Sequence, residues 1–344
     1  MDTKADTKAK TSVTSVDVAN LAGVSRSAVS RTFTPGASVS PETREKVTAA
    51  AKALGYQVNI LARSMIQGQS NLVGVVISGF QDPFRVSLLG EISRELSEHA
   101  MVPLLMNVED PDGLTDLMRI LLSYQISGVI MTSGAPPSAV AQEYLRREVA
   151  VVMINRERDL ERVDVINCDN QAGGELAART LIDGGAGKLA FVNTRASTFS
   201  GIARGKAFAG YLAKLPASHK HKARDYLAHS SGYQAGREAA AALLAKPRSR
   251  PDGVFCATDL IACGFLDAAR NEFGMRVPED LQLIGFDDIM LAGLDGYRLT
   301  TIRQDPGALA HAAVASLTER MKRFATPGRL RQVPVSLVTR ATTR

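Results

Sequence analysis

From Leu72 onward the chain alternates short apolar runs, rich in β-branched residues, with amphipathic stretches of helix length. The runs fall at 72–78, 102–108, 128–133, 149–155, 163–169, 189–194, 253–258 and 281–287. Near-continuous apolar runs separated by helical crossovers predict parallel strands covered on both faces. So many βα units exceed what one such sheet usually carries. The pattern therefore predicts two doubly wound α/β lobes with the chain passing between them. Ligands in open α/β sheets lie beyond the carboxyl ends of the strands, which makes the cleft between the lobes the expected small-molecule site.

Residues 1–68 carry helix caps and apolar stripes but no strand run. Thr14, with Asp17 three residues on, forms a capping box ahead of Val18, Leu21 and Ala22, and Gly23 ends that helix. Ser25 caps a second helix with Ala28 and Val29 inward and Arg26, Ser27 and Ser30 outward. Ser40, Pro41, Glu42 and Glu45 open a third, which ends at Leu54-Gly55 and carries Val47, Ala51 and Leu54 as its apolar stripe. Ala19, Gly23 and Val29 have helix-turn-helix spacing. They supply a small residue where two helices cross, a residue tolerant of positive φ in the turn, and an apolar anchor beyond it. The second helix of that motif enters the major groove with its N-terminal side chains at base edges. Arg26, Ser27 and Arg31 occupy that place.

The 344 residues are 45% hydrophobic and 22% charged, near globular averages, which excludes a disordered chain or a disulfide scaffold. No apolar run approaches the roughly 18 residues of a membrane span. The polar, Lys-rich start has no secretion core, so a cytoplasmic protein with no membrane partner is expected. Cys168, Cys256 and Cys263 sit in apolar stretches and read as buried thiols in a reducing compartment. Charge is uneven: residues 1–70 hold nine Lys/Arg against five Asp/Glu, which is +4 of the total +6. A basic end on a nearly neutral body suits a nucleic-acid partner.

The residues from Val13 to Arg31 (VTSVDVANLAGVSRSAVSR) resemble the signature of LacI-type transcriptional regulators. The likeness continues through Val39-Ser-Pro-Glu-Thr-Arg44, Leu54-Gly-Tyr56, Asn59, Ala62-Arg-Ser64 and Ser70-Asn-Leu-Val-Gly74. It resumes at Asp169-Asn170, Asp259, Gly285-Phe-Asp-Asp288 and Leu299-Thr-Thr-Ile-Arg-Gln-Asp305. The resemblance implies a helix-turn-helix domain over residues 1–56, a hinge over 57–70 that becomes helical on operator DNA, and a two-lobed body over 71–344. That body would be of the kind found in periplasmic sugar-binding proteins and would bind an effector and dimerise.

Carried over residue by residue, the resemblance makes Arg26 and Ser27 the operator-reading pair and Arg31 a further base or phosphate contact. Thr14, Ser25, Ser30 and Asn59 are suited to phosphates. Ala62 lies in the hinge, where Met65 stands in place of the family's usual Leu as the apolar wedge of the minor groove. Val58 replaces a common Pro, and Pro35-Gly36 a common Leu-Asn. In the body, Arg204 matches an arginine that grips sugar hydroxyls or a carboxylate, and Asp287 its acidic partner. Asn155, Arg156, Thr258, Asp259 and Gln304 match cleft-facing positions, Phe84 could stack on a sugar face, and Thr198, Ser200 and His229 are weaker loop candidates. Asp169 and Asp288 read as helix caps, and Asp259 as either cap or contact.

Enzymatic readings lack their motifs. Gly184-Gly-Ala-Gly-Lys188 precedes a strand where a phosphate loop follows one, and Leu189 stands where Ser or Thr would hold magnesium. No dinucleotide fingerprint, nucleophile elbow or metal-ligand spacing occurs, His219 and His221 falling in a Lys-rich loop. The expectation is a regulator without cofactor, most simply a repressor. It would bind a palindromic operator as a homodimer under a small-molecule effector, with no coiled-coil tail after Arg331. A protein devoted to ligand capture, as in transport, is the alternative, and it would start with a signal peptide rather than a helix-turn-helix.

Overall fold

The computed structural model describes residues 13–34, 36–57, 70–108, 114–132, 138–158, 160–195, 198–216 and 223–344. The chain separates into two compact units, residues 1–70 and 71–344. In the first, α1 (Ser15–Ala22), α2 (Arg26–Thr32) and α3 (Pro41–Leu54) enclose a small core of Val18, Ala19, Val29, Val47, Ala50 and Ala51. All three helices start at hydroxyl caps, Thr14, Ser25 and Ser40. Gly23 and Gly55 close α1 and α3 in the left-handed region at φ 64° and 65°, where a Cβ would be strained.

The second unit holds two six-stranded sheets. The first lobe contains β1 (Leu72–Ile77), β2 (Val102–Asn107), β3 (Gly128–Met131), β4 (Ala150–Ile154), β5 (Asp164–Cys168) and β11 (Leu330–Val333) in the order β11-β5-β4-β3-β1-β2. The second contains β6 (Leu189–Thr194), β7 (Ala223–Ala228), β8 (Gly253–Cys256), β9 (Gln282–Asp287), β10 (Thr300–Gln304) and β12 (Val335–Val338) in the order β12-β10-β9-β8-β6-β7. Pairing is parallel except between β10 and β12. The helices are α4 (Pro83–Glu98), α5 (Leu114–Ser123), α6 (Ser138–Arg146), α7 (Asn170–Asp183), α8 (Phe199–Lys214), α9 (Gly232–Leu244), α10 (Asp259–Asn271), α11 (Met290–Gly293) and α12 (Pro306–Lys322).

All eight apolar runs are strands. Four further strands escaped the pattern, β7, β10, β11 and β12. Three of them carry arginine (Arg224, Arg303, Arg331), and β11 and β12 are four residues each, separated by Pro334 alone. The chain passes between lobes after β5, after β10 and between β11 and β12. Asp169 caps α7 through the Ala172 amide at 2.9 Å and Asp305 caps α12 through the Ala308 amide at 3.0 Å, so the first two passages each begin at a fixed helix start. A buried bidentate pair, Arg320 with Asp164 at 2.9 and 3.0 Å, ties α12 to β5. Cys168, Cys256 and Cys263 are buried free thiols. Among the described residues no helix is long and apolar enough to cross a membrane.

Candidate functional site

In the first unit the sequence builds one exposed polar face on α2. Ala28 and Val29 are buried, and Arg26, Ser27, Ser30 and Arg31 are exposed. Arg26 and Arg31 form no ion pair among the described residues, so both guanidiniums keep their full donor sets for phosphates or guanine edges. The hydroxyls differ. Thr14 donates to the Asp17 carboxylate at 2.7 Å, and the same contact holds Asp17 below the usual carboxylate range. Ser25 accepts the Ala28 amide at 3.2 Å and shares a hydroxyl bond with Ser27 at 2.9 Å. Thr14 and Ser25 are thus engaged as caps, whereas the Ser30 hydroxyl stands open on the surface. Asn59, Ala62 and Met65 lie outside the described residues.

In the second unit a partly open cleft lies between the lobes. Asp82, Phe84, Arg85, Thr132 and Asn155 line it from the first lobe, and Thr198, Ser200, Arg204, Thr258 and Asp287 from the second, with Gln304 at the second passage. The strands β1, β3 and β4 end at one wall, and β6, β8, β9 and β10 at the other. In both sheets the strand order reverses there, between β1 and β3 and between β6 and β8, the switch point at which open sheets bind ligands.

Arg204 and Asp287 form the buried centre, their side chains each only 4% exposed and 3.3 Å apart. Arg204 also donates to Asn170 Oδ1 at 2.9 Å and to the Ala257 carbonyl at 2.7 Å. Gln304 Nε2 donates to Asp287 Oδ1 at 2.6 Å. Arg204 is thereby bonded to Asn170, at the first passage, and through Asp287 to Gln304, at the second. Burial pushes the Asp287 carboxyl well up, with Arg204 opposing. Asp287 and Asp288 adopt φ of 118° and 56°. Such conformations cost about 1–3 kcal/mol each and persist where the surroundings enforce them, often at ligand sites.

Three buried polar atoms in the cleft have no hydrogen-bond partner: Thr132 Oγ1, Ser200 Oγ and Gln304 Oε1. An unsatisfied buried polar atom costs about 1–3 kcal/mol. A ligand that bonds to all three removes that penalty. Asp82 and Asp287 are balanced by Arg85 and Arg204, so the formal charges of these lining residues cancel.

The model of bacterial regulatory proteins, lacI family, matches residues 14–59, and that of the periplasmic binding protein-like domain matches residues 178–343. The ribose operon repressor of Escherichia coli K12 is 30% identical over 310 residues, covering 89% of this chain and 92% of that protein. The chain belongs to the lacI family. Catabolite control protein A of Priestia megaterium is 28% identical over 334 residues, 96% of this chain and 99% of its own. Among solved structures, the lac repressor dimer bound to operator and the anti-inducer ONPF aligns at TM-score 0.86 and 27% identity, covering 97% of this chain and 99% of that one.

Most cleft residues that the lacI likeness suggested do converge: Phe84, Asn155, Thr198, Ser200, Arg204, Thr258, Asp287 and Gln304. Others do not. Asp259 is fully buried off the cleft, its oxygens taken by the Thr301 hydroxyl at 2.5 Å and the Ile289 amide at 2.9 Å. Asp259 is no cap either, because Thr258 caps α10. Arg156 does not line the cleft; its backbone is held by Asn167 in two bonds of 3.0 Å. His229 lies in a separate surface hollow with Arg195 and Asp225. Asp288 does not cap α11 but pairs with Arg303 and Arg340 at 2.6 Å each. Sequence reasoning missed Asp82, Arg85, Leu88 and Thr132 as lining residues. Thr132 was within reach, since it follows the end of β3, where the carboxyl-end rule applies.

Proposed function

We propose that this lacI-family chain is a sequence-specific DNA-binding transcriptional regulator, acting as a repressor. It binds a palindromic operator as a homodimer and is controlled by a small neutral polyhydroxylated effector in the interlobe cleft. The observation that carries the effector reading is the convergence of three partnerless buried polar atoms on a charge-balanced cleft. The relative named as a ribose operon repressor supports a sugar or sugar derivative. Arg26 reads a guanine and Arg31 a base or phosphate, while Ser27 and Ser30 contribute shorter-range polar contacts.

Effector binding acts through the bonds that tie Arg204 to Asn170 and Asp287 to Gln304, because these sit at two passages between the lobes. A ligand that competes for Arg204 or Asp287 changes the relative stability of lobe arrangements, and linked residues 57–70 pass that bias to operator binding. Such coupling is reciprocal: operator must alter effector affinity by the factor by which effector alters operator affinity.

The test is selection of bound sequences from random duplex DNA by the purified chain, at stated salt, with and without a panel of sugars and sugar derivatives. A palindrome whose recovery one panel member changes is the expected result. No enriched sequence under any condition would overturn the operator reading and favour plain ligand capture.

A further inference from the structure

Asp259 is buried without touching the cleft, yet it bonds to the segment that carries the cleft's central acid. Its Oδ2 accepts the Ile289 amide at 2.9 Å and its Oδ1 the Thr301 hydroxyl at 2.5 Å. Ile289 directly follows Asp287 and Asp288, two consecutive non-glycine residues at positive φ. Strained pairs of this kind persist only where neighbours hold them. A second observation points the same way: a Cβ at Gly285 would lie 2.1 Å from Asp259 Oδ1, so β9 reaches its turn through a residue small enough to admit the carboxylate.

We infer that Asp259 is a positioning residue of the effector cleft, gripping the Ile289 amide so that the turn after β9 holds Asp287 against Arg204 and Gln304. The inference rests on the reading of the cleft as the effector site. The charged and titratable groups that act on Asp259, or on which it acts, are Asp287, Asp288, Arg340, Cys256 and Cys263. Burial raises the Asp259 carboxyl to about 7, while the Thr301 and Ile289 bonds pull it down. A bond that favours the ionised form is by linkage strengthened by ionisation. The grip on Ile289 therefore tightens as pH rises through neutrality.

The test uses the full, ligand-free chain and the wild type, Asp259→Asn and Asp259→Ala proteins. Amide exchange at Ile289, corrected for intrinsic rate, is followed between pH 6 and 8, together with the Gln304 side-chain amide resonances that report its bond to Asp287. Wild-type Ile289 protection should rise on the order of tenfold over that range, with the Gln304 resonances shifting at the same midpoint. Asp259→Asn should keep most of the protection and lose its pH dependence, since an amide can still accept from Ile289 and donate to Thr301. Asp259→Ala should lose the protection and displace the Gln304 resonances while β8 amides stay protected. Flat or falling wild-type protection with pH, or unchanged Gln304 resonances in Asp259→Ala, would overturn the inference. Should the alanine variant not fold, the wild type and Asp259→Asn decide alone. A cleft that binds no effector would leave these ligand-free results as they are, so the two readings fail separately.

Discussion

The Arg204 guanidinium carbon sits 3.4 Å from the centroid of the Phe286 ring, over the aromatic face. Phe286 immediately precedes Asp287, so one strand end supplies both a π-face and a carboxylate to the same cation. Cation–π attraction is strongest where water is excluded, and here both partners are buried.

Removing that cation alone should be severe. Arg204→Ala leaves the Asp287 carboxylate buried without its counter-charge, for an expected loss of about 3–5 kcal/mol. Urea unfolding midpoints measure it. The double change Arg204→Met, Asp287→Leu should recover most of the loss, because the uncompensated charge is then gone.

Arg26→Ala addresses the operator face. Wild-type protein should prefer guanine at one position of each half-site by about 1–3 kcal/mol, and the variant should bind all four bases there nearly equally. Fluorescence anisotropy on a selected site and its single-base variants reads this directly. Retained preference for guanine in Arg26→Ala would assign the reading to another side chain.

The lobes and the helix-turn-helix could be read from sequence because each depends on local pattern. β1, β3, β4, β8 and β9 are buried along their whole length, which forces unbroken apolar runs, and the helix starts announce themselves through Thr14, Ser25 and Ser40. The strands missed obey other constraints. β7 is an edge strand with Arg224 and Asp225 exposed, and β11 and β12 join the sheets by long-range pairing with β5 and β10. The cleft was legible as far as strand ends were. Asp259 and Asp288 were misplaced because a carboxylate within three residues of a strand end looks alike in sequence whether it meets a ligand, a helix start or a neighbouring arginine.

The raised carboxyl of Asp259 also sets a global pH dependence. Between its unfolded value near 3.8 and its folded value of about 7, the folded protein holds a proton that the unfolded chain has lost. Stability therefore falls as pH rises through that window, by at most about 1.4 kcal/mol per unit from this one group. Relative to wild type, Asp259→Asn should show a shallower decline between pH 4 and 7 in urea melts at a series of pH values. This global loss coexists with a tighter local grip on Ile289, since burial disfavours the ionised form that the two bonds favour.

Two glycines set the contact between α9 and α10. A Cβ on Gly264 would meet the Tyr233 carbonyl at 1.9 Å, and one on Gly236 the Ile261 carbonyl at 2.0 Å. Both obstacles are backbone, which cannot rotate away. Gly264→Ala should cost about 1–3 kcal/mol or more by overpacking, seen as a lower melting temperature, whereas alanine at the open Gly210 should not.

Pro334 stands between the last strand of one sheet and the last strand of the other. Neither lobe is therefore a continuous piece of chain: the first needs 72–168 together with 330–333, and the second ends with residues the first has already interrupted. A single cut between β6 and β11 leaves two fragments that each own strands of both lobes. Transplanting an effector specificity from a relative would accordingly require three junctions rather than one, and the natural places for them are the passages after Cys168, after Gln304 and at Pro334.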